Sequence, residues 1–229
     1  CVASLGFRVL LADLDPQGNA TSGVGQNKKT LRHSMYDALL GGCSPAAAVV
    51  PTRFDGLWLL PATMDLAGAE IELLDREKRE YSLRSVLAAV GEDFDFVFTD
   101  CPPSLGMLTI NALSCSHGVV IPMQCEYYSL EGLSQLMISI KKVKQLYNPA
   151  LSITGILITM YNGRLNLSTQ VLAELKRYYA DKLFKTPVVR NVKLSEAPSF
   201  GQPIFYHDKY SKGSLAYMEI AKELVSRVL

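Results

Sequence analysis

The sequence predicts an α/β fold: a three-layer, mostly parallel twisted sheet with helices on both faces. Three observations carry that expectation. Short apolar runs of strand length alternate along the whole chain with stretches of helical periodicity, the pattern of βαβ crossovers. Two of the runs end in aspartate, the side where ligands bind in such sheets. With 229 residues, 48% hydrophobic and 20% charged, the chain can bury a sizeable core, and disorder is not expected. Its length fits one domain spanning residues 1–229. No linker, repeat or low-complexity stretch divides it.

The chain opens with Cys1-Val2-Ala3-Ser4-Leu5-Gly6, which reads as the end of a helix with Gly6 as its stop, and so suggests an N-terminal truncation. Residues 8–12 form an apolar run closed by Asp13 and Asp15, a buried strand with two carboxylates at its C-terminal edge. Pro16-Gln17-Gly18-Asn19 then breaks into a loop. Residues 34–50 read as short helices around Gly41-Gly42, and residues 57–60 as a second strand. Residues 65–90 are mostly helical, with Leu66, Ala69, Leu73, Leu83, Val86, Leu87 and Val90 at helical spacing. Residues 94–99 form a third strand, ended by Asp100 and the stiff Pro102-Pro103 pair; residues 118–123 form a fourth. Ser129 is the expected N-cap of the next helix, with Glu131 in its first turn and Asn148-Pro149 as its stop. A fifth strand covers residues 153–160, a helix residues 168–180, and a short sixth strand residues 188–189. The last helix starts near Ser214.

The formal net charge is +1, so any contact with nucleic acid must come from a local patch. Residues 161–229 hold 11 basic and 6 acidic side chains, against 12 and 16 in residues 1–160. Such a basic C-terminal part suits weak, salt-sensitive contacts to phosphate; the alternative is an ordinary solvated face. Five cysteines, an odd number without a C-x-x-C pair, argue against a disulfide framework and for a reducing, cytosolic setting. His33, His117 and His207 lack metal-ligand spacing. No apolar run nears the ~20 residues that span a bilayer, and no signal-peptide pattern is visible.

Asp13, Asp15 and Asp100 concentrate chemistry at the ends of two strands. Neighbouring parallel strands bring such carboxylates together, where repulsion calls for a cation or a shared proton. A hydrated Mg²⁺ beside a phosphate is the natural partner; the alternative is that each aspartate caps the following turn. The phosphate cradle G-x-x-x-x-G-K-[ST] does not occur, and Gly23-Val24-Gly25 lacks the Lys-Ser/Thr that would make it one.

The block Asp13-Leu14-Asp15-Pro16-Gln17-Gly18-Asn19-Ala20-Thr21 resembles the ParA/Soj family of deviant Walker ATPases, which segregate plasmids and chromosomes. The likeness continues through Asp100-Cys101-Pro102-Pro103-Ser104-Leu105-Gly106. It then runs from Gln124 through Glu126-Tyr127-Tyr128 to Leu133, and ends with Arg190-Asn191-Val192-Lys193-Leu194-Ser195-Glu196 and Ala197-Pro198-Ser199. The resemblance implies a P-loop NTPase fold whose first strand and K-G-G-x-G-K-T-T loop belong before Cys1. It implies ATP and Mg²⁺ as cofactors. Asp15 would position the attacking water; Asp13 and Asp100 would hold the metal through water. Residues 102–106 would form the second switch, with Pro102 at the nucleotide. Met160, Arg190 and Asn191 would line the adenine pocket, although the family's I-P-R-N-V reads Val188-Val189-Arg190-Asn191-Val192 here, with the proline at Pro187. Arg164 and Lys193 match basic positions for nonspecific DNA binding.

By the same resemblance, the intact protein is an ATPase of the cytoplasm and nucleoid. ATP would join two protomers in a sandwich homodimer that binds nonspecific DNA, and a ParB-type partner would stimulate hydrolysis. Two alternatives stand beside this reading. One is a non-enzymatic binding protein or fragment lacking the P-loop. The other is a MinD-like membrane ATPase, disfavoured because the last helix offers only Lys222 and Arg227 as basic residues. Cys101 beside Asp100 also raises the iron–sulfur chemistry of the related nitrogenase iron proteins. Cys101 and Cys125 are more simply read as buried structural thiols, and Trp58 as core.

Overall fold

The computed structural model describes all residues, Cys1–Leu229. The chain divides into two compact units, one of Val2–Cys115 with Ala197–Pro203, the other of Ser116–Glu196 and Ile204–Leu229 together with Cys1.

The first unit is built on β1 (Val9–Asp13), which follows a short 3-10 turn ended by Gly6 in the left-handed conformation, as its position after Leu5 predicts. Then come α1 (Asn19–Gly23), α2 (Met35–Leu40), α3 (Pro45–Ala48), β2 (Val50–Pro51), β3 (Leu57–Leu60), α4 (Leu66–Glu72), α5 (Ser82–Ala88), β4 (Phe96–Asp100) and α6 (Met107–Cys115). The strands lie in the order β2-β3-β1-β4. β1 runs parallel to both neighbours, with Leu10 beside Trp58 and Val97, and Asp13 beside Asp100. Alternation along β1 sorts its side chains. Leu10 and Ala12 join Leu60, Leu66, Leu83 and Leu108 in the main core under the helices, while Leu11 packs with Val24, Phe54 and Leu59 on the opposite face. β2 was not expected; its antiparallel pairing places Pro51 on an edge, where a missing N–H is tolerated. The helical stretch of residues 65–90 is interrupted by turns, with Lys78 in the left-handed region. A capping box between Ser34 and Asp37 starts α2, and Gly41 at φ 81° ends it.

The second unit carries β5 (Gly118–Gln124), α7 (Tyr127–Leu146), β6 (Ser152–Thr159), α8 (Asn166–Tyr179), α9 (Val192–Glu196), α10 (Ile204–His207) and α11 (Lys212–Val228). β5 and β6 pair in parallel, and single bridges from Ile156 to Leu183 and from Tyr161 to Val189 extend them. The expected sixth strand is only that last bridge. The expected parallel ladder is therefore carried by two hydrogen-bonded sheets, with β4 pairing only to β1 and β5 only to β6. α7 starts two residues before the predicted Ser129 cap, because the extended backbone falls at Glu126 and the Ser129 N–H already reaches the Glu126 carbonyl at 3.1 Å.

Arg227 fixes α11 in place. Its Nη1 donates to the Thr154 carbonyl at 2.8 Å, its Nη2 to the Leu183 carbonyl at 2.6 Å and to Glu223 Oε1 at 2.7 Å, and its guanidinium lies over the Phe184 ring at 4.5 Å. This basic residue is spent inside the fold rather than presented to a lipid surface. Gly155 follows from the same contact, because a Cβ there would meet Phe184 Cε2 at 2.6 Å and Arg227 Nη1 at 2.8 Å. Arg227→Ala is expected to lower unfolding free energy by about 2–3 kcal/mol, since it leaves Glu223 and the carbonyls without a charged donor. Arg227→Lys should recover little, because one ammonium cannot span these acceptors. Urea unfolding of the three proteins measures both effects.

Candidate active site

Asp13 and Asp100 are direct neighbours at the C-terminal ends of β1 and β4, and the Leu14 N–H donates to the Asp100 carbonyl at 2.8 Å. Their surroundings differ. Asp13 is fully buried. Its Oδ2 accepts the Thr21 N–H and the Thr21 hydroxyl, both at 2.7 Å, and its Oδ1 accepts the Asp15 N–H at 3.1 Å. Thr21 Oγ1 in turn accepts the Ala62 N–H at 2.9 Å. One carboxylate thus ties together the end of β1, the start of α1 and the segment after β3. Burial pushes the Asp13 pKa up, while the bonds from Thr21 and Asp15 oppose the shift.

Asp100 keeps an open side toward solvent, yet protein packs around the rest of it. That desolvation, with the charges of Asp13 and Asp15, pushes its pKa up to about 6.

The D-P-Q-G order builds the intervening loop. The Gly18 N–H closes a turn onto the Asp15 carbonyl at 2.8 Å, Pro16 sits at its second position, and the Gln17 N–H donates to Asp15 Oδ1 at 2.9 Å. Gly18 has φ 59°, and a Cβ there would stand 2.8 Å from the Ala62 carbonyl. Lys28 Nζ caps the loop by donating to the Gln17 carbonyl at 2.6 Å. Asp15, half-buried, retains Oδ2 for a further donor. After β4, Pro102 is half-buried and residues 103–105 are exposed. The Thr109 hydroxyl donates to the Ser104 carbonyl at 2.7 Å.

This unit therefore gathers Asp13, Asp15, Asp100 and Pro102. No group of three His, Cys, Asp or Glu side chains has the spacing of direct metal ligands. A cation held through its water shell could be met by Asp100, the accessible carboxylate of the group. Cys101 does not fit metal ligation: burial and the Asp100 charge push its thiol up to about 12, so it stays protonated.

The second unit holds Met160, Arg164, Arg190, Asn191 and Lys193. Met160, 53% exposed, has φ 50°, a left-handed conformation that costs a side-chain-bearing residue roughly 1–2 kcal/mol. The Tyr161 N–H bonds to the Val188 carbonyl at 2.9 Å, so Met160 and Arg190-Asn191 lie at the ends of adjacent parallel segments. Arg190 is exposed; Asn191 Oδ1 accepts the Lys193 N–H at 2.8 Å. Arg164 is exposed in the turn after β6, its N–H donating to Asn162 Oδ1 at 3.1 Å. Lys193 pairs with Glu196 at 2.9 Å, which raises its pKa, and His207 Nε2 is 3.6 Å from the same carboxylate. This unit contains 14 basic and 8 acidic residues, the other 9 and 14.

Sequence reasoning singled out neither Thr21 nor Arg227 for these roles; Thr21 carried no mark beyond its place at the end of the first block. A group whose folded pKa is raised contributes stability below its unfolded pKa and loses it as pH rises through the folded value. In chelator-containing buffer, the stability of the protein relative to Asp100→Asn is therefore expected to fall between about pH 4 and pH 6. Urea midpoints of the two proteins across that window check it; parallel profiles would show that Asp100 is not perturbed.

Residues 1–153 match the model of a family described as an AAA domain. The sporulation initiation inhibitor protein Soj of Bacillus subtilis is 49% identical over 226 residues, covering 99% of this chain and 89% of its own length. The chromosome partitioning protein ParA of Myxococcus xanthus is 46% identical over 226 residues, covering 99% and 80%. Among solved structures, one described as cobyrinic acid a,c-diamide synthase from Mycobacterium smegmatis with bound ADP and magnesium superposes with TM-score 0.83. It is 41% identical and covers 97% of this chain and 83% of that one. With these identities across nearly its whole length, and with the aspartates of both motif blocks side by side at the ends of β1 and β4, the chain belongs to the ParA/Soj family of chromosome-partitioning ATPases.

Proposed function

We propose that the full-length protein is a partition ATPase that binds ATP with Mg²⁺, pairs with a second copy, and in that state holds DNA without reading its sequence. The observation that carries the reading is the parallel pairing of Asp13 with Asp100, with Asp15 in the turn that follows. Asp100, the accessible carboxylate, would hold a water of the metal, and Asp13, whose oxygens already accept from Thr21 and Asp15, would support it from behind; a bound Mg²⁺ would supply neutralising charge at the phosphates. Asp15 Oδ2 accepts a hydrogen bond from the attacking water and aims it at the γ-phosphate, a task of orientation. Pro102, at the head of an exposed loop, would sense the terminal phosphate. Met160, Arg190 and Asn191 receive the base.

Arg164 and Lys193 meet DNA phosphate, each a few residues beyond a position of the Tyr161–Val189 bridge and on the basic unit. Lys193 must leave Glu196 to do so; both are exposed, so salt and solvent already weaken that pair. A ParB-type partner stimulates hydrolysis and so ends the DNA-bound state, within the cytoplasm and on the nucleoid. No helix is long and apolar enough to cross a membrane.

The test is DNA retention by the full-length protein at low salt, with and without ATP. Retention is expected only with ATP, to weaken steeply as salt rises, and to be lost in Arg164→Glu. Retention that ignores ATP would overturn the reading. Failure of both DNA retention and ATP hydrolysis would overturn it as well. Asp15→Ala is expected to slow hydrolysis by about 100-fold or more while keeping nucleotide-bound dimers. Steady-state turnover and size-exclusion chromatography separate the two effects, and loss of ATP binding would contradict the assignment.

A further inference from the structure

Glu70 lies on α4, outside every motif block, and its Oε1 is buried without a hydrogen-bond partner. That is an expensive condition for a carboxylate oxygen, and such an atom calls for an explanation. It abuts Gly106, the last residue of the loop after β4, and any side chain at position 106 would run into the Glu70 carboxylate. The glycine that ends the D-C-P-P-S-L-G block is thus the residue that lets this acceptor approach the loop.

Donors lie nearby. The Ile110 N–H bonds to the Gly106 carbonyl at 3.0 Å, so Gly106 is the entry to α6, and the first-turn amides of α6 have no acceptor within the helix. A carboxylate at that end is also favoured by the helix dipole. Upstream, Pro102 and Pro103 have no N–H to offer, whereas Ser104 and Leu105 are exposed and the Ser104 carbonyl accepts the Thr109 hydroxyl. An acceptor lacking a donor therefore stands beside a helix entry whose first amides find no acceptor within the helix itself, and a shift of the loop would bring the two together.

We propose that Glu70 is a positioning residue for the loop of residues 102–106: with nucleotide bound, its Oε1 accepts a backbone N–H from residues 105–107 and fixes the loop in its active arrangement. The inference rests on the ATPase reading above. Glu70 touches no substrate; it acts through the loop.

Amide hydrogen exchange over residues 104–110, with steady-state kinetics, tests this in the full-length protein with and without ATP and Mg²⁺. Nucleotide should slow exchange there in the wild type. Glu70→Ala should lose that protection and lower kcat about fivefold to tenfold at unchanged KM, the size expected of one hydrogen bond. Glu70→Gln keeps an acceptor oxygen and should recover most of both. Gly106→Ala, which wedges the carboxylate away, should behave like Glu70→Ala and serves in its place if that variant does not fold. Glu70→Ala with wild-type protection and kcat would overturn the proposal, as would Glu70→Gln no better than Glu70→Ala. A wild type that hydrolyses no ATP would instead overturn the ATPase reading on which it rests.

Discussion

The buried carboxylate of Asp13 is the constraint around which the first unit is arranged. It stands at the end of the central strand, entirely removed from water, and three donors from Thr21 and Asp15 meet it. A buried charge is tolerable only when so satisfied. These bonds pin α1 against β1, draw in the segment at Ala62 through Thr21, and leave the Asp15 turn projecting at the strand end. Parallel pairing then sets Asp100 beside Asp13, and the repulsion falls on the more open of the two. One carboxylate of the pair is thus tied into the fold, while burial and the neighbouring charges disfavour ionisation of the other.

Charge is divided on a larger scale as well. The unit that carries the aspartate motifs has an acidic balance, and the unit that carries Arg164 and Lys193 a basic one, so the near-neutral total conceals both. Electrostatic contact with a polyanion depends on such local balance rather than on net charge. The Lys193–Glu196 pair shows that even the basic unit keeps one proposed contact partly neutralised, in an exposed bond that a phosphate can displace.

The parts of this design legible in the sequence were those with local chemistry. Strand ends at Asp13 and Asp100 followed from apolar runs that stop at a charge, and the loop at residues 15–18 from Pro and Gly, each needed by the turn actually formed. What could not be read depends on partners distant in sequence. Thr21 reaches back 8 residues to Asp13, and Arg227 reaches 73 residues to the Thr154 carbonyl. Glu70 is distinguished only by what fails to bond with it. The start of α7 was misplaced because Ser129 is a good cap by type, while the backbone turns into the helix at Glu126. Division into two sheets likewise depends on which strands share hydrogen bonds, which apolar periodicity does not encode.

The central claim, that ionised Asp100 is disfavoured by burial and by its charged neighbours and would be relieved by a cation at the nucleotide, is tested most directly by its own titration. Carbon-13 carboxyl NMR of the full-length protein, with Asp100→Asn to assign the signal, would follow it with chelator alone and with saturating ADP and Mg²⁺. The account predicts a midpoint of about 6 without ligand and a clear downward shift when nucleotide and metal are bound. A midpoint in the ordinary aspartate range without ligand, or no change on adding nucleotide and Mg²⁺, would contradict it.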